Sequence, residues 1–190
     1  MIAPKWRGLL MLDDRGPVWE TARATARALR GVRVPFCIVG GLAVYEHGYR
    51  RSTEDVDVLI EAKEQSPVRR AMNAAGLTWN TSRREFVGPG DTAVHVLFAG
   101  ERIASSDVRI RKPSPENVSV IDGLPVIRLA PLIEMKLAVG LSVIRRTHRD
   151  LSDVVELIAR NRLTKAFASK LHRSLRREFR RLVEVARSPG

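Results

Sequence analysis

Residues that build covalent staples and stacking platforms are scarce in this chain. Of 190 residues only Cys37 is a cysteine, so no disulfide can form within it. A secreted domain held by several bridges is excluded, and a reducing, cytoplasmic setting is expected. Aromatic residues make up 5%, which is poor material for the stacked rings that bind single-stranded nucleic acid. No apolar run approaches the roughly 20 residues of a membrane span, so no membrane partner is expected. The apolar stretch within MIAPKWRGLLMLDDRG is too short for a secretion signal and has acids directly behind it. Repeats and low-complexity segments are missing.

Acids are the minority charge, with 21 Asp and Glu against 33 Lys and Arg and a net charge of +12. Such an excess attracts polyphosphates and nucleic-acid backbones without selecting a sequence. It is concentrated at Arg145, Arg146, His148 and Arg149, and again in the tail at Lys165, Lys170, Arg173, Arg176, Arg177, Arg180 and Arg181. The tail cations surround Leu163, Phe167, Leu171, Leu175, Phe179 and Leu182 at helical spacing, the pattern of an amphipathic helix or helix pair packed on a core. Its basic face is either solvated or a contact for structured RNA.

Sharper chemistry lies in FCIVGGLAVYEHGYRRSTEDVDVLI, residues 36–60. Phe36 to Val39 reads as a short strand, and Gly40 and Gly41 as a tight turn that lets backbone approach a ligand. A helix opening there presents unpaired N–H groups suited to phosphate. Asp55, Val56, Asp57 and Val58 alternate, so in a strand both carboxylates share one face while the valines enter the core. Paired carboxylates suit a divalent metal shared with substrate phosphates. The plain alternative is a turn followed by two solvated acids at a sheet edge.

The remaining pattern is legible in outline. Pro17 to Arg30 reads as a helix ended by Gly31, and Pro67 to Ala75 as one closed by Gly76. Leu77 to Val87 and Thr92 to Phe98 read as strands around Gly88-Pro89-Gly90, and Ser105 to Pro115 as a loop with an edge strand. Val118 to Ile121 and Leu124 to Leu129 form a hairpin about Asp122-Gly123. From Pro131 onward the chain reads as helical.

These motifs together resemble the nucleotidyltransferases of the DNA polymerase beta superfamily, and within it the small bacterial abortive-infection toxin type. Gly40, Gly41, Arg51, Thr53, Asp55 and Asp57 match the glycine pair, Arg-x-Thr-x-Asp segment and second acid. IDGLPV, LIEMKLAVGL with Lys136, and RRTHRDLSDVVEL look like the hairpin and the two helices that follow, so the resemblance spans residues 20–160. It implies an α/β (α+β) nucleotidyltransferase fold with a mixed central sheet flanked by helices. A core over residues 1–129 and a C-terminal helical region over 130–190, packed on it, are expected. It also implies Mg2+ or Mn2+ at Asp55 and Asp57, with a nucleoside triphosphate as substrate. Gly40, Gly41, Arg51, Thr53 and Lys136 would bind phosphate, and Arg146, Arg149 and Asp150 would lie near acceptor or phosphate. The implied reaction moves a nucleoside monophosphate to a hydroxyl, with tRNA the first acceptor to consider and a cognate antitoxin or defence partner implied.

One position departs from the family pattern. Catalytic members carry a third acid where TAVHVLF places His95. His95 is then a general base, the mark of a protein that binds nucleotide or RNA without turning it over, or a sign that Asp91 supplies the acid, since residues 91, 93 and 95 share a strand face. A half-buried histidine with a satisfied hydrogen bond is the plainest reading. Imidazole also suits softer ions than Mg2+. Lys136, with apolar neighbours nearly all round, either reaches a triphosphate or snorkels to water. Asp150 either favours the start of a helix or belongs to the site.

Overall fold

The computed structural model describes residues 16–61 and 65–188. The apolar stretch at the N-terminus lies outside them. Helix α1 (Pro17–Gly31) starts on proline, whose missing N–H costs nothing in a first turn, and buries Val18, Trp19, Ala22, Ala26 and Leu29 on one face. Strand β1 (Phe36–Val39) is buried along its whole length and runs straight into α2 (Gly40–Glu46). Strand β2 (Asp55–Ile60) alternates as its sequence demands, with Val56 and Val58 buried and Asp55 and Asp57 partly exposed.

Helix α3 (Gln65–Ala74) leads into β3 (Thr78–Asn80) and β4 (Glu85–Gly88). The run from Leu77 to Val87 is therefore a hairpin and not one strand. Its polar middle turns the chain, with Arg84 in the left-handed region at φ 55° and the Asn80 side chain accepting from the Arg83 N–H at 3.1 Å. A short turn at Pro89–Asp91 enters β5 (Thr92–Phe98). Residues 105–115 form a loop, with an isolated bridge between Arg102 and Arg109 beside it. Strands β6 (Val118–Ile121) and β7 (Leu124–Ile127) make the hairpin expected from Asp122-Gly123, both residues having positive φ.

Among the described residues the seven strands form one mixed sheet in the order β3-β4-β5-β2-β1-β7-β6. Strand β2 is antiparallel to β1 and parallel to β5, so it lies at the centre. Asp55 and Asp57 are accordingly not edge residues. The sheet and its flanking helices make the chain an α/β protein. Helices α1 and α3 pack together, with α1 also touching β2, β5 and β7. Cys37 is buried in β1, and burial pushes its thiol up to about 12, which leaves it inert. No helix among the described residues is long and apolar enough to cross a membrane.

Three further α-helices follow among the described residues: α4 (Leu129–Ser142), α5 (Thr147–Arg160) and α6 (Arg176–Val185). The tail stripe is buried at Leu171, Leu175, Phe179 and Leu182, in the same cluster of core residues as the sheet. Short 3-10 turns at Lys165–Lys170 and Arg173–Leu175 interrupt its helical course. An ionic network ties this helical part to the loop before β2. Lys136 on α4 lies 2.7 Å from Asp150 and 2.8 Å from Asp153 on α5, and Arg51 clasps Asp153 with two bonds of 2.6 and 2.7 Å. Burial pushes the Asp153 carboxyl up, but the Arg51 hydrogen bonds and the Lys136 charge hold it below the usual carboxylate range.

Removing one partner from a buried ionic cluster leaves the others uncompensated. Lys136→Met is expected to cost about 3–5 kcal/mol, seen as a lower urea midpoint at unchanged slope. A loss below about 1 kcal/mol, typical of exposed pairs, would show that the cluster is no structural tie.

Candidate metal and phosphate site

The site begins with a close approach of backbone to side chain. Gly40, the first residue of α2 after β1, has φ 63°, and a Cβ built there would stand 1.8 Å from Asp57 Oδ2. At Gly41 a Cβ would stand 2.4 Å from Thr53 Oγ1. Both glycines are thus required by what lies over them, and Gly40 by its left-handed backbone as well. Thr53, buried, donates to Asp55 Oδ1 at 2.7 Å and fixes that carboxylate. Helix α2 then carries Leu42, Ala43, Val44 and Tyr45 into the core.

Register supplies the rest. Asp57 on β2 is directly opposite His95 on β5, with Asp55 opposite Ala93. Pairing of Phe86 with Val94 and of Gly88 with Thr92 places Glu85 of β4 opposite His95 on its other side. Directly opposed residues point to the same face, so Asp57, His95 and Glu85 form a row across three strands. His95 Nδ1 is 3.2 Å from Asp57 Oδ1 and 3.9 Å from Asp55 Oδ2, while Nε2 is 3.2 Å from Glu85 Oε2. One donor atom each from Asp55, Asp57 and His95 fits within 4.8 Å, a group that could hold a metal ion.

The hydrogen bond to Asp57 raises the His95 pKa to about 9 against the effect of burial, helped by the charges of Asp57 and Asp55 and the bond to Glu85. Held between Asp57 and Glu85, the ring is favoured in its protonated form, which joins the carboxylates. Asp91 does not join the site. It is exposed in the turn before β5, with φ 60°, two positions beyond the residue paired with Asp55.

Other expected site residues are engaged elsewhere. Lys136 and Arg51 are held in the network with Asp150 and Asp153, so neither cation is presented to a triphosphate in this structure. Asp150 is buried and accepts from Lys136 and Arg146. Arg146 and Arg149 lie on the exposed turn and first residues of α5. Glu85 was missed in the sequence because no motif contains it. Counting back along the hairpin from its turn would have paired it with His95.

No protein-family model matches the chain, and no curated protein matches it at a significant level. Solved structures do show similar chain courses. The antibiotic-resistance factor ANT(2'')-Ia is 15% identical with a TM-score of 0.48, covering 87% of this chain and 90% of its own. JHP933 from Helicobacter pylori is 17% identical with a TM-score of 0.48, over 80% of this chain and 69% of its own. An antigenic nucleotidyltransferase-like protein from Paracoccidioides brasiliensis is 15% identical with a TM-score of 0.44, over 75% and 78%. At such identities and TM-scores the likeness carries no assignment of function. Function has to be read from the sheet face.

Two outcomes test this geometry. Gly40→Ala forces a side chain into left-handed backbone at about 1–2 kcal/mol and into the Asp57 carboxylate. It is expected to lower the urea midpoint and shift the Asp57 carboxyl resonance, and an unmoved resonance would contradict the contact. The second outcome concerns pH. Because the folded pKa of His95 lies above its unfolded value, the stability it adds is complete below about pH 6.5 and disappears as pH rises through about 9. The stability gap between the native protein and His95→Asn should therefore shrink across that window, as read by unfolding at stepped pH.

Proposed function

We propose that the chain is a metal-assisted nucleotidyltransferase that moves a nucleoside monophosphate from a nucleoside triphosphate to a hydroxyl. The observation that carries this reading is the juxtaposition of Asp55 and Asp57, on one face of the central strand, with bare backbone at Gly40 beneath them. Asp55, Asp57 and His95 fit a divalent ion by donor type and spacing. Such an ion, Mg2+ or Mn2+, would offset the charge of the phosphates.

The remaining roles belong to the chain itself. Thr53 fixes Asp55, and the bare backbone of Gly40 and Gly41 lets Asp57 and Thr53 pack directly against the start of α2. The acceptor oxygen bonds to the α-phosphorus, the bridge to the β-phosphate breaks, pyrophosphate departs, and the acceptor proton passes to solvent. Lys136 and Arg51 reach phosphate only by leaving Asp153, so their direct contribution is to hold α4, α5 and the Thr53 loop in place. Arg146 and Arg149 are the exposed cations we assign to the acceptor. The basic surface favours RNA, tRNA first, and a protein partner from a toxin or defence pair belongs to the same reading. With its lone buried thiol, the chain suits the cytoplasm.

A second reading is favoured by one observation. By the sequence resemblance His95 stands where the family's third acid is expected, and its ring, whose pKa is raised by its acidic neighbours, bridges Asp57 and Glu85. A cation there opposes a second positive ion, as in a nucleotide- or RNA-binding module that has lost turnover. Offering each α-labelled nucleoside triphosphate with Mg2+ or Mn2+ to total RNA and to the protein decides between them. We expect label in an acceptor with native protein and none with Asp55→Asn/Asp57→Asn. Nucleotide binding without label under either ion, and label gained by His95→Asp, would establish the silent module instead.

A further inference from the structure

We propose that Glu85 is a positioning residue that orients the His95 ring so that Nδ1, with Asp55 and Asp57, forms a three-donor centre preferring nitrogen-accepting divalent ions over Mg2+. This rests on the metal-site reading above and adds to it the residue that sets the ion's identity. Glu85 is 8% exposed, an unusual place for a carboxylate whose other ion-pair neighbour, Arg83 at 3.6 Å, lies on the surface. It sits directly opposite His95 across the β4–β5 ladder, and its Oε2 meets Nε2 at 3.2 Å. The ring is therefore held by its far nitrogen, with its near nitrogen turned to the two aspartates.

Metal-bound histidines commonly donate the second ring N–H to a carboxylate, which fixes tautomer and orientation and strengthens the donor. The Glu85–His95–Asp57 row has that arrangement. Donor atoms around an ion with bonds of about 2.1 Å stand roughly 3.0–3.4 Å apart, in tetrahedral or octahedral geometry. The distances of 3.2 and 3.9 Å from Nδ1 to Asp57 and Asp55 need only a small adjustment to reach this. A divalent ion arriving there takes the place of the Nδ1 proton, and Glu85 keeps the Nε2 proton where it is. Imidazole adds little for Mg2+, which selects oxygen, and much for Mn2+, Co2+ or Zn2+.

The test measures binding and needs no turnover. Co2+ affinity is read from its visible absorption and Mg2+ affinity by calorimetry, for the native protein, Glu85→Gln, His95→Asp and Asp57→Asn, each with its urea midpoint. Glu85→Gln is expected to weaken Co2+ by about 10–100-fold while changing Mg2+ little. His95→Asp should reverse the ion preference. Unchanged Co2+ affinity in Glu85→Gln overturns the positioning role while leaving the metal centre intact. No difference between native protein and Asp57→Asn removes the metal centre and this inference together. If Glu85→Gln does not fold, Zn2+ titration of native protein followed by ring 15N resonances decides. A shift at Nδ1 with Nε2 still protonated supports the proposal, and a shift at Nε2 overturns it.

Discussion

Everything at the candidate site depends on the alternation of one central strand. With β1 on one side and β5 on the other, β2 has no freedom of register, because a slip by one residue would send Val56 and Val58 to the face now held by Asp55 and Asp57. Burying two carboxylates without partners would cost far more than any local rearrangement could recover. Packing therefore fixes the carboxylate pair in space before any ligand arrives. The glycines answer to the same constraint, since Gly40 has no side chain because Asp57 lies against it.

Two ionic clusters result, and their difference in burial divides structure from chemistry. Lys136, Asp150 and Asp153 are nearly closed to water, and Arg51 and Arg146 supply the further cations that two carboxylates against one lysine require. Such a cluster resists change, and removal of any member leaves an unpaired charge. Asp55, Asp57 and His95 remain open to solvent, with His95 at 43% side-chain exposure. Three carboxylates, counting Glu85, face a single imidazole there, so the row stays short of positive charge. A cluster that is accessible and unbalanced can exchange a proton for an ion, whereas the closed cluster cannot.

What the sequence revealed follows from how far each signal reaches. The glycine pair, the alternating aspartates, the Asp122-Gly123 turn and the first helix are local patterns, and the folded chain displays them where they were read. Lys136 was also conspicuous, as a lysine among apolar residues, but its partners lie 14 and 17 positions away on another helix, beyond any periodicity. Arg51 pairs with Asp153 across 102 positions. Glu85 was hidden for a different reason. The turn at Gly88-Pro89-Gly90 was legible, but the register across it, which places Glu85 opposite His95, is written in no local motif. Local pattern thus shows which residues alternate, while hairpin register decides which of them meet.

The net charge of +12 acts at another scale. Part of the tail's positive charge is engaged internally: Lys165 pairs with Glu184, Arg181 with Glu178, and Arg176 donates to the Leu171 carbonyl. Around the turn between α4 and α5, Arg145, His148 and Arg149 are exposed beside Leu141 and Ile144. A field of this kind draws polyanions to the surface and is screened over about 8–10 Å at physiological salt. It can raise encounter rates without choosing an acceptor, because every nucleic acid carries the same phosphates. Under the proposed transfer, selection would therefore come from short-range fit near Asp55, Asp57 and His95, where an acceptor hydroxyl would have to come within bonding reach of a bound phosphate.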